Sequence, residues 1–297
     1  MADAVPAQVA GPSGIAQAYV RTLLARRPAL LPEGRTVPRI EGRRTALRIR
    51  RSALEGYRRV CGFPADGRLP PTYPHVLAMG VHLAMLTASA FPVRLLGLVH
   101  LANHIAVHRA LSEDETLDLI CWLEGHRETE SGQEFQMHTE VSASGAPAWS
   151  ETATFLARRP RRGARGAGVP ADEGPPPPGA RCSVWKVAAD TGFRYARVSG
   201  DYNPIHLAAA TARWFGFRRA IAHGMWLLAR VVAELAPEPR SRSFSVEVRF
   251  RRPVFLPSSV TLHHWSSPGG IEFRLGSPAA GKLHLAGSIR PLAARGA

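Results

Sequence analysis

Cysteine is scarce in this sequence. Cys61, Cys121 and Cys182 form an odd set with no short spacing between them. That argues against a disulfide framework or a cysteine-based zinc site and fits a reducing, cytoplasmic setting. Lysine is scarcer still: only Lys186 and Lys282 occur, so nearly all of the formal net charge of +15 is carried by arginine. In a chain also rich in Ala, Gly and Pro, that bias reads first as the imprint of a GC-rich coding sequence. No zinc-finger spacing or RNA-binding aromatic signature accompanies it, so a nucleic-acid partner is not expected, whereas an acidic protein or a phosphate-bearing ligand would be welcomed by arginine. Long apolar runs are missing too. The most apolar stretch, Val76 to Val107, is broken by His82, Pro92, Arg94 and His100, short of the roughly 20 apolar residues of a membrane span. The N-terminus shows no basic region leading into an apolar run, so no secretory signal is expected.

What is present suffices for an enzyme-sized core. The 297 residues are 45% hydrophobic, enough for two units of roughly 150 residues each. From Arg158 to Ala180 the apolar periodicity fails, giving way to arginines and glycines and then Pro175 to Pro178, the composition of a linker. The expected division is residues 1–157, a linker over 158–180, and residues 181–297. The flanking units resemble one another: Tyr57-Arg-Arg-Val-Cys-Gly62 is echoed by Tyr195-Ala-Arg-Val-Ser-Gly200. After each echo comes an apolar helical stretch, Tyr73 to Phe91 and Ala222 to Leu235. Strand-like segments follow, near 97–108, 115–124, 133–143 and 148–157 in the first half and near 243–251, 259–266, 270–275 and 282–289 in the second. A helix followed by consecutive strands implies an α+β unit in which an antiparallel sheet wraps an apolar helix. A spacing of about 140 residues suits a duplicated domain rather than a solenoid repeat.

The chemistry-bearing residues crowd into the second half. In Ser199-Gly200-Asp201-Tyr202-Asn203-Pro204-Ile205-His206, Asn203-Pro204 breaks whatever precedes it, and Pro suits the first turn of a helix. His206 is thus expected on a short helix and Asp201 in the loop before it. A carboxylate and an imidazole converging there can orient one water and exchange its protons. Asp201 and Asn203 could instead serve as plain turn and capping residues. A second block, Ala222-His223-Gly224-Met225, opens the apolar helix, where the Gly224 N–H and the helix dipole favour negative charge.

Taken in order, Tyr195-x-x-x-Ser199-Gly200-Asp201-x-Asn203-Pro204-x-His206 followed by Ala222-His223-Gly224-Met225 resembles the signature of the MaoC-like, (R)-specific enoyl hydratases. The resemblance implies a hotdog fold, here a double hotdog joined as a pseudo-dimer, with one half catalytic and the other shaping the acyl pocket. It implies reversible hydration of trans-2-enoyl thioesters, carried on coenzyme A or an acyl carrier protein, to (R)-3-hydroxyacyl thioesters. Asp201 and His206 would be catalytic, and Gly224, His223 and Asn203 would bind substrate, with Gly224 favoured over the His223 side chain as the oxyanion donor. No cofactor or metal is implied, and a homodimer of such chains is open.

The first half departs from this pattern. Matching the echoes places Phe63 where Asp201 stands and Arg68 where His206 stands, so that copy is not expected to handle water. Its helix, with Met79, Leu83, Met85, Leu86 and Phe91, suits an acyl tunnel or plain core. His75, His82, His100, His104 and His108 lack nearby acidic or cysteine partners at ligand spacing, so a metal is not expected there. Two other functions compete. A hotdog thioesterase would need a central-helix carboxylate, and Glu234 lies far from Gly224. A non-catalytic basic binding module would rest on the arginine-rich linker and on Arg43 to Arg59.

Overall fold

The computed structural model describes residues 5–6, 27–159, 174–236, 243–278 and 281–292. Most of the expected linker, residues 160–173, and most of the N-terminal extension lie outside them. The chain is an α+β double hotdog. Its first half runs β1 (Val5–Pro6), β2 (Ile40–Leu47), α1 (Arg51–Cys61), α2 (Tyr73–Thr87), β3 (Leu98–Val107), β4 (Leu117–Leu123), β5 (Arg127–Thr129), β6 (Gly132–Ala143) and β7 (Ala146–Arg158). The second runs β8 (Arg181–Val187), α3 (Thr191–Ser199), a 3-10 turn (Pro204–His206), α4 (Ala209–Arg213), α5 (Gly224–Leu235), β9 (Phe244–Phe250), β10 (Ser258–Ser267), β11 (Gly270–Gly276) and β12 (Leu283–Pro291).

The strands form one 12-stranded sheet ordered β1-β2-β4-β6-β7-β3-β9-β12-β11-β10-β8, with β5 on β6, so the sheets of the two halves are joined edge to edge. The joint is antiparallel pairing of β3 with β9, from Ala102 opposite Arg249 to Val107 opposite Phe244. Each half alone would leave that edge with unpaired N–H and C=O groups; joining them satisfies both edges at once. Read outward from the joint, the order is β3-β7-β6-β4-β2 on one side and β9-β12-β11-β10-β8 on the other. The two halves therefore share one topology.

The repeated hexapeptide is the last turn of a helix and its cap. Helices α1 and α3 each end at a glycine in the left-handed region, Gly62 (φ 81°) and Gly200 (φ 80°), whose N–H groups bond Arg58 O and Ala196 O. Glycine adopts that conformation without the penalty other residues meet. Tyr57 and Tyr195 are fully buried, their rings 6.2 Å apart where the two halves meet.

In the second half, α5 buries Met225, Trp226, Leu227, Leu228, Ala229, Val231, Val232 and Leu235. A helix apolar on nearly every side is one wrapped by its sheet. Its first-half counterpart, α2, packs Leu86 and Met85 into the same continuous core, with Phe91 just beyond its end, and also buries two histidines, His75 and His82. Trp185 and Trp226 are buried, whereas Trp214 is 77% exposed, on the turn that leaves the short α4.

Candidate active site

The loop between α3 and α5 is folded by its own polar groups. Asp201 N donates to Ser199 Oγ (3.2 Å), and Asn203 N donates to Asp201 Oδ1 (3.1 Å). Asn203 Oδ1 in turn accepts from Ile205 N (3.4 Å), capping the 3-10 turn that Pro204 opens. This is the tight turn expected of Asx residues before proline. It leaves Asp201 in the loop and places His206 at the end of the turn, as the sequence implied. Beneath the turn lies Gly192 of α3: a Cβ there would stand 1.9 Å from His206 O. Only glycine lets helix and turn approach so closely.

His206 and His223 are both buried, and each is fixed through one ring nitrogen. His206 Nδ1 donates to Ile221 O (2.8 Å), and His223 Nε2 donates to Asp201 O (3.0 Å). A carbonyl oxygen only accepts, so the proton of each neutral ring sits on the bonded nitrogen. His206 Nε2 and His223 Nδ1 are left with lone pairs. Burial pushes His206 below its ordinary pKa, against the opposing pull of the Asp201 carboxylate and the Ile221 carbonyl. Burial, with His206 as neighbour, pushes His223 down to about 3. Both rings are therefore neutral near pH 7.

The Asp201 carboxylate is partly exposed, and its Oδ2 lies 3.7 Å from His223 Nε2. One side-chain ligating atom from each of Asp201, His206 and His223 falls within 4.8 Å of the others, close enough to share a water. The two rings lie face to face, centroids 3.7 Å apart and planes at 25°, and one nitrogen of each is already bonded to a backbone carbonyl. Tyr195 closes the back of the stack, 4.9 Å from His223.

Gly224 is the first residue of α5 and His223 its N-cap. First-turn N–H groups have no partner within a helix, and the dipole leaves this end positive. A Cβ at Gly224 would meet the Phe250 ring at 3.0 to 3.2 Å, so the glycine keeps its backbone open beside that ring. The structure thus brings Asp201, His206, His223 and Gly224 together, and it gives Asn203 a capping bond. Sequence reasoning missed Gly192 and Tyr195's contact with His223. A conformationally ordinary glycine carries no local signal of what it must admit.

The other singled-out positions lie elsewhere. Phe63 is buried against Tyr57, ring centroids 6.2 Å apart. Arg68 gives its backbone carbonyl to Arg58 (2.7 Å). Glu234 accepts from Ser183 Oγ (2.5 Å) and Trp185 Nε1 (3.0 Å) and so ties the end of α5 to β8.

The comparisons with known proteins bear on the chain's family. Residues 181–284 match the MaoC like domain. The chain is 32% identical to 3-hydroxyacyl-thioester dehydratase X of Mycobacterium tuberculosis, over 80% of this chain and 85% of that protein. It belongs to the MaoC-like dehydratase family. The crystal structure of HtdX from the same organism superposes with a TM-score of 0.72 at 29% identity, covering 85% of this chain and all (100%) of the other. A MaoC-like dehydratase from Phytophthora capsici shares the fold, with a TM-score of 0.67 at 18% identity over 86% of this chain and 97% of its own. No helix among the described residues is long and apolar enough to cross a membrane.

Proposed function

We propose that this dehydratase adds water to trans-2-enoyl thioesters, and removes it from (R)-3-hydroxyacyl thioesters, at a site formed by Asp201, His206 and Gly224 in residues 181–297. The carrying observation is the tautomer of His206. With Nδ1–H spent on Ile221 O, the neutral ring offers Nε2 as a base beside the Asp201 carboxylate. In hydration the two groups orient a water whose oxygen bonds to C3 while its proton is delivered to C2. As the C2=C3 bond opens, negative charge reaches the thioester oxygen, where the Gly224 N–H and the α5 dipole stabilise it. Dehydration is the reverse: a C2 proton and the C3 hydroxyl leave as water. His223 holds the Asp201 backbone and Asn203 caps the turn, so their parts are to place the reacting pair. Coenzyme A or an acyl carrier protein would present the thioester. The division at 158–180 separates this unit from the first half, and association of two chains is a further proposal, tested by sedimentation.

Thioester hydrolysis on Glu234 has less support, because that carboxylate is already engaged by Ser183 and Trp185. A basic docking role for Arg43 to Arg59 is weakened by carboxylate partners: Arg43 pairs with Glu41, Arg51 with Asp114 and Arg58 with Glu113. The deciding measurement is loss of enoyl absorbance with crotonyl-CoA and longer trans-2-enoyl-CoAs. Asp201→Asn and His206→Ala should abolish it. Failure to hydrate an enoyl thioester of any length, on either carrier, sinks the assignment.

A further inference from the structure

The first half holds a buried polar cluster that the reaction as described does not use. His75 on α2 donates Nδ1–H to both oxygens of Glu151, each at 2.9 Å, and Glu151 is fully buried on β7. Asn103 of β3 donates to the same carboxylate (2.6 Å), while its own Oδ1 is buried and unpartnered. His82, two helical turns on, bonds Thr139 (2.7 Å), and His100 stacks 6.4 Å from His75. Burial disfavours both charges of the pair, but each partner outweighs it: Glu151 holds His75 above its ordinary pKa, and His75 helps hold Glu151 below the usual carboxylate range. The two groups thus favour each other's charged form against the effect of burial.

The residues that α5 buries in the second half are all apolar. Replacing a buried ion pair by apolar packing is often neutral or stabilising. What distinguishes the cluster is its position. Asp201 acts electrostatically on both His75 and His100, and Asp201 and Glu151 both act on Tyr195, the ring behind the histidine stack. His100 also lies 5.0 Å from Phe250, the ring that abuts Gly224. Helix α2 packs against α3, whose cap, Gly200, immediately precedes Asp201. The cluster therefore adjoins the reacting groups across the interface, and among the described residues no hydrogen bond engages His75 Nε2.

We propose that Glu151, acting through His75, is a positioning residue for the reaction at Asp201: the first half sets the register of the catalytic loop in the second. This rests on the hydratase reading above. The test is steady-state hydration of crotonyl-CoA by the full chain, with Glu151→Gln and the double variant Glu151→Gln/His75→Gln, alongside thermal melts. Misplacing a reacting group by about 1 Å can cost roughly 10²-fold, so kcat should fall by about that factor in both variants while KM stays within about threefold. The single variant should melt lower, because it leaves His75 without its charge partner. The double variant should recover the melting temperature but not kcat. Recovery of kcat together with stability, or wild-type kcat in the single variant, overturns the proposal. Should the single variant not fold, the double variant decides alone. A wild-type chain that hydrates no enoyl thioester overturns the hydratase reading itself, a different outcome from an active wild type with equally active variants.

Discussion

The imidazole of His206 lies flat on that of His223, ring centroids 3.7 Å apart. Two stacked imidazoles cannot both carry charge cheaply in a buried site, and each ring is fixed by a bond to a carbonyl, so the stack is a neutral pair with defined tautomers. A base of fixed tautomer is what a water-handling site needs.

The same burial predicts how the protein responds to acid. Burial pushes His223 and His82 down to about 3 and His100 to about 4, whereas the unfolded chain titrates its histidines near ~6.5. Between those values the unfolded state binds protons that the folded state refuses, so stability falls as pH drops from about 6.5 toward 4. Each group contributes on the order of 1 kcal/mol per pH unit in that window. His75 works the other way, since its raised pKa lets the folded state take a proton first, while the depressed Glu151 costs stability only once the pH falls below the ordinary carboxylate range. The thermal midpoint should fall by several degrees between pH 7 and pH 5, and His223→Phe should flatten part of that slope. A midpoint independent of pH would contradict the assignment of neutral buried rings.

Gly192 should be intolerant of substitution although it touches no substrate. A methyl group there meets the His206 carbonyl at 1.9 Å, and backbone must move to admit it. Gly192→Ala should destabilise by about 1–3 kcal/mol, the usual cost of overpacking, and should lower kcat at least tenfold by shifting His206. Gly174→Ala, where nothing lies within 4 Å of the added carbon, is the control and should be silent in both assays. Equal behaviour of the two variants would remove Gly192 from the account.

At Gly224 the neighbour is a side chain, so the crowding can be relieved. An added methyl meets Phe250 at 3.0 to 3.2 Å, and His100, 5.0 Å from that ring, limits its retreat. Gly224→Ala should reduce hydration by about tenfold despite the better helix propensity of alanine, and adding Phe250→Leu should restore most of the loss. If the second substitution restores nothing, contact with Phe250 is not why glycine stands there.

How much of this was legible depends on the range of each interaction. Asp201 and His206 are five residues apart, and Asx-Pro turn chemistry alone placed one in a loop and the other on a short helix. The main strands were legible because side chains alternate across a sheet with period two, as in Leu117 to Leu123. Strand Ile40–Leu47 was not, because the run Arg43, Arg44, Thr45 and Ala46 is exposed throughout and breaks the alternation. Pairing of β3 with β9 leaves no local pattern, since its partners come from different halves. The bond between His75 and Glu151 spans 76 positions, which is why the first-half histidines read as isolated.

The degenerate first half should stay silent even when its missing carboxylate is supplied. Phe63 occupies the position matched to Asp201, but it is only 6% exposed and stacked on Tyr57. The carbonyl of Arg68, at the position matched to His206, is tied to Arg58, whose guanidinium is buried against Glu113 at 2.8 Å. These contacts are structural, so Phe63→Asp would bury an unpaired carboxyl and leave a cavity, at a cost of about 3–5 kcal/mol. Introduced into Asp201→Asn, it should recover no hydratase activity, and titration of the wild-type enzyme with a tight-binding substrate analogue should end at one equivalent per chain. Two equivalents, or activity regained through Phe63→Asp, would mean that the halves are functionally equivalent and that the asymmetry of Asp201 against Phe63 has been misread.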